Sequence, residues 1–148
     1  MEPTRLLFVC TGNICRSPMA EALAIHRAQQ LGMTIEAQSA GVLAKDGLRA
    51  SKKAVRALSE QGLNLESHRS QMLTASHLDW ATRVFVMQLA HVETIQERFP
   101  NAPRAELLGP LCGTMEIDDP YGSWFMRPYR TSRDRIRTAV QNLSLIHI

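Results

Sequence analysis

Hydrophobic and polar positions along the chain switch between two periods, which predicts strands alternating with helices. The run Leu6–Val9 is continuously apolar, as in a parallel strand that is buried on both faces. A helical pattern follows it, beginning at Ser17 and Pro18 and fading near Gly32. We expect Ser17 to be the N-cap of this helix and Pro18 to occupy its first turn.

The rest of the chain continues the alternation. Further strands are expected over residues 34–39, 83–87 and 105–108, further helices over 49–61, 76–80, 90–99 and 129–143, and a long loop over 109–124. Repeated βα units predict an α/β fold, in which a central four-stranded parallel sheet carries helices on both faces. We therefore expect one three-layer domain over residues 1–148. Ligands of such sheets bind beyond the carboxyl ends of the strands, so the loop after the first strand is the candidate site.

That loop, residues 10–17, reads Cys-Thr-Gly-Asn-Ile-Cys-Arg-Ser. It has neither the Gly-Lys-Ser/Thr ending of a nucleotide-binding loop nor a G-x-G-x-x-G motif. Cys10 and Arg16 are separated by five residues across a tight turn, and the amides between them would converge above the sulfur. Together with the helix dipole, they would hold a tetrahedral oxyanion and favour the Cys10 thiolate as a nucleophile. The alternative is a buried structural cysteine beside a surface arginine.

The expected contacts to a phosphate group in this loop come from consecutive residues. Arg16 can bind two oxygens through its planar fork, which a lysine cannot do. The other positions contribute mainly backbone amides. The candidate phosphate-binding residues are Thr11, Gly12, Asn13, Ile14, Cys15 and Arg16.

Composition and charge narrow the class of protein. The chain has 148 residues, 45% of them hydrophobic, which is enough for a core without staples. No uncharged apolar run reaches the roughly 18 residues of a membrane span, and the N-terminal run is too short for a secretory signal. Three cysteines do not suit a secreted disulfide framework. We expect a cytoplasmic protein whose formal charge of +3 suits an anionic ligand without requiring nucleic acid.

Residues 8–21, Phe-Val-Cys-Thr-Gly-Asn-Ile-Cys-Arg-Ser-Pro-Met-Ala-Glu, resemble the signature of the low-molecular-weight protein tyrosine phosphatases. The resemblance extends from Leu6 to about Leu143, through Ser39-Ala40-Gly41, Ser67-His68-Arg69-Ser70, Met87 with His91, and Asp119-Pro120-Tyr121-Gly122. It implies a phosphatase that needs no metal or cofactor. Cys10 would form a phosphocysteine, Arg16 would hold the phosphate oxygens, and Asp119 would act as general acid and then as base.

The resemblance also implies supporting roles. Asn13, Ser17, Ser39 and His68 would hold the loop and orient the thiolate, and Tyr121 would form an aromatic wall beside the pocket. Cys15 would be a second thiol that can trap oxidised Cys10 as a disulfide. From the residues alone, Asp119 could equally begin an Asx turn, His68 could be a surface histidine, and Cys15 could be an inert packed thiol.

The expected substrate is a phosphorylated protein, with inorganic phosphate as product and weak ligand. Protein arginine phosphatases resemble this chain closely but carry threonine at the position of Ile14. An aliphatic side chain there favours phosphotyrosine, and a protein arginine phosphatase is the alternative. The segment Val42–Lys45 lacks the aromatic residue that lines the pocket in animal members, so it leaves the substrate choice open.

Other functions fit less well. Arsenate reductases of this scaffold need two further cysteines after the third strand, and residues 82–100 contain none. A zinc site built from Cys10, Cys15 and Cys112 lacks a paired second half. A phosphate-dependent docking module without catalysis would not need Asp119.

Three further segments carry expectations. The basic stripe of the last helix is interpreted as a solvated face rather than a nucleic-acid interface; its members are Arg127, Arg130, Arg133 and Arg137. Residues 124–126, Trp-Phe-Met, could form a hydrophobic lip, but we expect them, like Tyr129, to pack against the last helix. We place no function on residues 1–5 and 144–148, which are candidates for non-native or disordered tails.

Overall fold

A computed structural model describes residues 2–143, in which four strands alternate with five α-helices. The elements are β1 (Thr4–Cys10), α1 (Arg16–Gln30), β2 (Ile35–Gly41), α2 (Lys52–Ser59), α3 (Ala75–Trp80), β3 (Arg83–Val86), α4 (Leu89–Arg98), β4 (Glu106–Leu107), a 3₁₀ helix (Gly109–Cys112) and α5 (Arg127–Asn142). All strands are parallel and lie in the order β2-β1-β3-β4. The predicted α/β fold with its four-stranded parallel sheet is therefore confirmed.

Side chains of β1 alternate between two apolar clusters, which lie on opposite faces of the sheet. Leu6 and Phe8 belong to a cluster with residues of α1, α2 and α5. Leu7 and Val9 belong to a second cluster with residues of α3 and α4. All four side chains are completely buried, as expected for a strand covered on both faces. The strand carries Cys10 at its carboxyl end, where the first helix begins.

The first two elements begin earlier than the sequence pattern predicted. Strand β1 starts at Thr4, where Thr4 and Arg5 pair in register with Ile35 and Glu36. These two residues, which we had grouped with the N-terminal tail, therefore belong to the sheet. Residues 144–148 lie outside the described part of the chain.

The start of α1 also differs from the expectation. The helix begins at Arg16 with Cys15 in the N-cap position, so the predicted N-cap role of Ser17 is wrong. The Ser17 hydroxyl instead turns into the preceding loop. There it contacts Cys10 Sγ and the Asn13 amide instead of a backbone N–H of the helix.

The basic stripe of α5 is only in part a solvated face: Arg127 is exposed and the side chains of Arg130 and Arg137 are 41% and 38% exposed, whereas Arg133 is buried. Arg130 and Arg133 both bind the Glu60 carboxylate beyond α2, at 2.7 and 2.8 Å. Arg133 is buried and also donates to the carbonyl oxygen of Ala57 at 3.0 Å. The hydrogen bond from Arg130, joined by the contact with Arg133, lowers the pKa of Glu60 to about 2. The two arginines thus attach α5 to the end of α2.

The packing expectation for Trp124 and Phe125 is wrong. These side chains are 90% and 76% exposed, whereas Tyr129 is buried as predicted. The loop that carries the two aromatic residues runs directly into α5. Within residues 2–143, no helix has the length and apolar character needed to cross a membrane.

Candidate active site

A cavity of about 290 Å³ opens at the carboxyl end of β1. Three segments form it: the loop after β1, the segment after β2 and the loop before α5. Its lining residues are Cys10, Thr11, Gly12, Ile14, Cys15, Arg16, Leu43, Lys45, Leu48, Asp119 and Tyr121. Residues that the sequence singled out far apart along the chain therefore share one cavity.

Asn13 determines how the loop curls. It is completely buried and adopts a left-handed backbone conformation with φ of 57°, which asparagine tolerates better than most residues. Its side-chain oxygen accepts from the backbone N–H of Gln71 at 2.9 Å, and its amide donates to the Ser17 hydroxyl at 2.8 Å. Its backbone carbonyl accepts from Nε2 of His68 at 2.7 Å. Three hydrogen bonds therefore hold the turn in place.

Ser17 connects Asn13 to the sulfur of Cys10. The Ser17 oxygen lies 2.9 Å from Cys10 Sγ and accepts the Asn13 amide hydrogen. The Ser17 hydroxyl has one proton, which it can donate to Cys10 Sγ or, over a longer contact of 3.5 Å, to the carbonyl oxygen of Ala40. A hydrogen bond donated to sulfur is stronger when the sulfur is a thiolate. The Ser17 hydroxyl therefore lies where it can donate to Cys10 Sγ.

Arg16 presents one free edge of its guanidinium group. The side chain is buried, and its Nη1 donates to Oε1 of Gln88 and to the carbonyl oxygen of Ile117, each at 2.8 Å. Its Nε has no hydrogen-bond acceptor among residues 2–143. Nη2 has only longer contacts, 3.4 Å to Oδ2 of Asp119 and 3.5 Å to the hydroxyl of Thr11.

The two nitrogens Nε and Nη2 lie on the same edge of the guanidinium plane. That edge offers two parallel donors, the geometry that binds two oxygens of a tetrahedral oxyanion. A buried donor without a partner costs about 1–3 kcal/mol, and a bound oxyanion would remove this cost. Arg16 is thus fixed through Nη1 and open through the edge that an oxyanion needs.

His91 fixes the other side of the loop. Its Nδ1 accepts from the backbone N–H of Gln88 at 3.1 Å, so Nε2 carries the hydrogen and donates to the Thr11 hydroxyl at 2.9 Å. Burial, together with the charge of Arg16, lowers the pKa of His91 to about 4. The imidazole is therefore neutral at pH 7, which suits its contact with a neutral hydroxyl.

Asp119 makes the turn that its sequence context suggested and still faces the cavity. Its Oδ1 accepts from the backbone N–H of Tyr121 at 3.0 Å, which forms an Asx turn. Its Oδ2 is the atom near Arg16 Nη2. The neighbouring Asp118 does not line the cavity, and its carbonyl oxygen accepts from the hydroxyl of Ser132 at 3.1 Å. The turn thus orients Asp119 so that Oδ2 points toward Arg16 in the cavity.

His68 and Cys15 are both engaged in contacts near the loop. Burial lowers the pKa of His68, and its Nε2 donates to the Asn13 carbonyl oxygen at 2.7 Å, so the surface-histidine alternative does not hold. Sγ of Cys15 lies 3.1 Å from the hydroxyl of Ser51, and burial raises the pKa of Cys15 to about 11. Cys10 and Cys15 are both free thiols here. The disulfide between them stays a prediction.

Ser39 differs from the expected supporting residues. It is buried, but its hydroxyl has no hydrogen-bond partner in the described part of the chain. It touches the loop network only through its carbonyl oxygen, which accepts from Nε2 of Gln71 at 2.9 Å. Its side chain lines a separate, larger cavity of about 460 Å³, together with Glu21 and His68. The expected contact of the Ser39 hydroxyl with the loop is therefore not found.

Gly41, at the end of β2, allows the loop to approach closely. A Cβ atom at this position would lie 2.6 Å from the carbonyl oxygen of Thr11, which is too short for any side chain. The same carbonyl accepts from the backbone N–H of Leu43 at 2.9 Å. Leu43, which this hydrogen bond ties to the loop, lines the cavity.

Sequence reasoning did not single out several residues that hold the site. These are Gln71, Gln88, Ile117 and Ser51. Among these residues, Gln88 has a signal in the sequence, because it follows β3 at the edge of the sheet where ligands bind. No set of three His, Cys, Asp or Glu side chains within residues 2–143 is grouped to hold a metal ion.

Comparisons with known proteins agree on one family. The sequence model of "Low molecular weight phosphotyrosine protein phosphatase" matches residues 5–146. A protein-arginine-phosphatase of Geobacillus stearothermophilus is 43% identical, with 96% of this chain and 95% of that protein covered. The "Probable low molecular weight protein-tyrosine-phosphatase EpsP" of Ralstonia solanacearum is 36% identical, with 82% and 81% covered. The crystal structure of a low molecular weight protein tyrosine phosphatase from T. tengcongensis superimposes with a TM-score of 0.88 at 33% identity, covering 94% and 96% of the two chains.

Proposed function

Because the chain belongs to the low molecular weight phosphotyrosine protein phosphatase family, we propose that it hydrolyses phosphotyrosine in proteins without a metal. The observation that carries the proposal is the Nε–Nη2 edge of Arg16, whose Nε has no acceptor among residues 2–143 and whose Nη2 makes only long contacts, in the cavity that also contains Cys10 and Asp119. A nucleophile, an oxyanion clamp and a carboxyl group in one cavity support turnover over phosphate binding alone.

In the first step, the Cys10 thiolate attacks phosphorus in line with the leaving oxygen of the tyrosine. The S–P bond forms as the P–O bond breaks, and Asp119 donates its proton to the departing phenolate oxygen. Arg16 and the backbone amides of the loop hold the equatorial oxygens, where charge is concentrated during transfer. The products are the dephosphorylated tyrosine side chain of the substrate protein and a phosphocysteine at position 10.

In the second step, water attacks the phosphocysteine. Asp119, now a carboxylate, accepts a proton from the water, and the Cys10 thiolate leaves as the S–P bond breaks. Inorganic phosphate then dissociates, and it remains a weak ligand of the same loop. The Ser17 hydroxyl stabilises the thiolate both before attack and as the leaving group.

The walls of the cavity support an aromatic substrate. Hydrocarbon side chains of Ile14, Leu43 and Leu48 line it, and Tyr121 forms an aromatic side. An aryl ring gains from such contacts, since burying apolar surface is favourable and aromatic pairs add further stabilisation. Lys45, which also lines the cavity, would repel the positive guanidinium group of phosphoarginine.

Protein arginine phosphatase activity is the second candidate. It is favoured by the 43% identity to the protein-arginine-phosphatase of Geobacillus stearothermophilus. The mechanism with Cys10, Arg16 and Asp119 would be the same. Only the walls of the cavity distinguish the two substrates.

The test is phosphate release in the presence of EDTA from two peptides that differ only in the phosphorylated residue. We expect faster release from the phosphotyrosine peptide, and faster release from phosphoarginine would replace this substrate by the second candidate. A Cys10→Ser variant should bind phosphate but release none from either peptide. Turnover by that variant would reject the thiolate mechanism.

The same proposal includes the domain that carries out the reaction, its location in the cell and its partners. Residues 1–148 would act as one domain in the cytoplasm, with a phosphorylated protein as the partner and no bound cofactor. Support comes from the three free cysteines in the described residues and from the family match, which spans residues 5–146.

A further inference from the structure

A second cavity, of about 340 Å³, adjoins the catalytic cavity. The two share Tyr121, which lines both of them. The second cavity lies between the start of α2, which contributes Lys52 and Lys53, and the loop before α5, which contributes Trp124. A polypeptide that places one residue in the catalytic cavity can therefore continue past Tyr121 into the second.

The charges of the second cavity are unbalanced. Neither Lys52 nor Lys53 has a carboxylate within 4.0 Å of its ammonium group in the part of the chain that the structure describes. Other basic residues nearby, such as Arg130, are already paired with Glu60. Two lysines without carboxylate partners in the lining of one cavity create a local positive field that attracts acidic groups.

The same cavity is also lined by the exposed aromatic side chain of Trp124. Trp124 is 90% exposed and the following Phe125 is 76% exposed, although large aromatic side chains are usually buried. Exposed apolar groups next to a binding site commonly mark a contact surface for a partner. Tryptophan is also the residue type most enriched where binding energy is concentrated.

We propose that this second cavity binds the substrate polypeptide beside its phosphorylated residue and selects acidic side chains there. The proposal rests on the proposed function, since it assigns the segment that flanks the phosphotyrosine. Lys52 and Lys53 pair with carboxylates of that segment, and Trp124 covers its apolar part. Continuity through Tyr121 and the unpaired positive charge are the two observations that favour a peptide as the occupant.

The test uses two phosphotyrosine peptides that differ only in the residues flanking the tyrosine, one with acidic and one with neutral side chains. We expect kcat/KM to be about three- to tenfold higher for the acidic peptide at low salt, and the ratio to shrink as salt is added. In the double variant Lys52→Gln/Lys53→Gln the ratio should fall to about one. Hydrolysis of a small aryl phosphate, which does not reach the second cavity, should be unchanged.

Matched variants separate charge from position. Each lysine is also replaced singly, and Arg104→Gln, which removes one exposed cation beside β4, should keep the full preference. Trp124→Ala should lower kcat/KM about threefold for both peptides. A preference for the acidic peptide that survives in the double variant would overturn the proposal, and so would equal rates for the two peptides in the wild-type protein.

Binding measurements keep this proposal distinct from the proposed function. Calorimetry with Cys10→Ser and the same two peptides measures docking without turnover, so failure to hydrolyse phosphotyrosine would not decide it. A tighter Kd for the acidic peptide supports the second cavity, and equal Kd values reject it. Wild-type binding to anionic phospholipid vesicles that Trp124→Ala abolishes, without any peptide preference, would assign the surface to a membrane and overturn the proposal.

Discussion

Replacement of Ser17 by alanine removes the hydroxyl that contacts the sulfur of Cys10. In the native protein the Ser17 oxygen lies 2.9 Å from Cys10 Sγ and accepts the Asn13 amide at 2.8 Å. A hydrogen bond to a charged group contributes about 1.5–3 kcal/mol, and each 1.36 kcal/mol is a factor of ten in rate. Ser17→Ala should therefore lower kcat/KM about 10- to 150-fold, for small aryl phosphates as well as for peptides.

The same substitution has a separate effect on stability. It leaves the buried Asn13 amide without its acceptor, which costs about 1–3 kcal/mol. Urea denaturation measures this loss, and the kinetic assay is run on protein that is shown to be folded. The two readouts together distinguish a damaged fold from a weakened nucleophile.

Ser39→Ala is the matched control for Ser17→Ala. Ser39 is as buried as Ser17, but its hydroxyl has no partner in residues 2–143. Its removal should change kcat/KM less than about threefold, because it breaks no bond to the loop. Equal losses in the two variants, or a loss below threefold in Ser17→Ala, would refute the reasoning from hydrogen bonds.

Three further substitutions test other parts of the site. Asp119→Asn should slow hydrolysis of phosphotyrosine, whose phenolate is a poor leaving group, by about 100- to 10,000-fold, and hydrolysis of an activated aryl phosphate far less. Equal losses of rate on the two substrates would mean that another residue is the general acid. The pKa of His91 is about 4 when folded and near 6.5 when unfolded, so the unfolded chain binds more protons between these values. The resulting stability, about 3 kcal/mol, is full above pH 6.5 and is lost as the pH falls toward 4; urea titrations should show a flatter pH dependence in His91→Gln. Gly41→Ala places a Cβ 2.6 Å from the Thr11 carbonyl, so we expect it to destabilise the protein by about 1–3 kcal/mol and to lower kcat, and a variant with unchanged melting and kinetics would contradict that contact.

Most of the fold could be predicted because each helix and strand follows from the spacing of apolar residues within its own segment. The apolar run of β1 and the helical spacing of α1 correctly predict a buried parallel strand followed by a helix. The start of β1 was predicted two residues too late, since Thr4 and Arg5 join the sheet through pairing with β2, which no local pattern reveals. Ser17 was misassigned as a cap because its true partners, Asn13 and Cys10, precede the helix.

The site was predictable where one short segment carries it and not where distant segments meet. The loop from Cys10 to Arg16 is continuous in sequence, so its chemistry could be inferred from the residues and from the family resemblance. Gln88 and Ile117 hold Arg16 across 72 and 101 positions, and such contacts have no local signal. Trp124 was expected to be buried on the general tendency of aromatic residues, but it lies in the loop before α5 and is 90% exposed.

In this cavity the residues that form the walls are different from those that hold the reacting groups, and this difference affects how such a protein evolves. Ile14, Leu43 and Leu48 contribute only hydrocarbon to the walls, whereas the bonds that hold Arg16 and Cys10 run through other side chains. Mutational drift in the walls can therefore alter what enters without disturbing the reacting groups. A new specificity needs few ancestral steps under this arrangement, and each intermediate remains a working catalyst. Relatives that share the scaffold and differ in named substrate are the expected result of such a history.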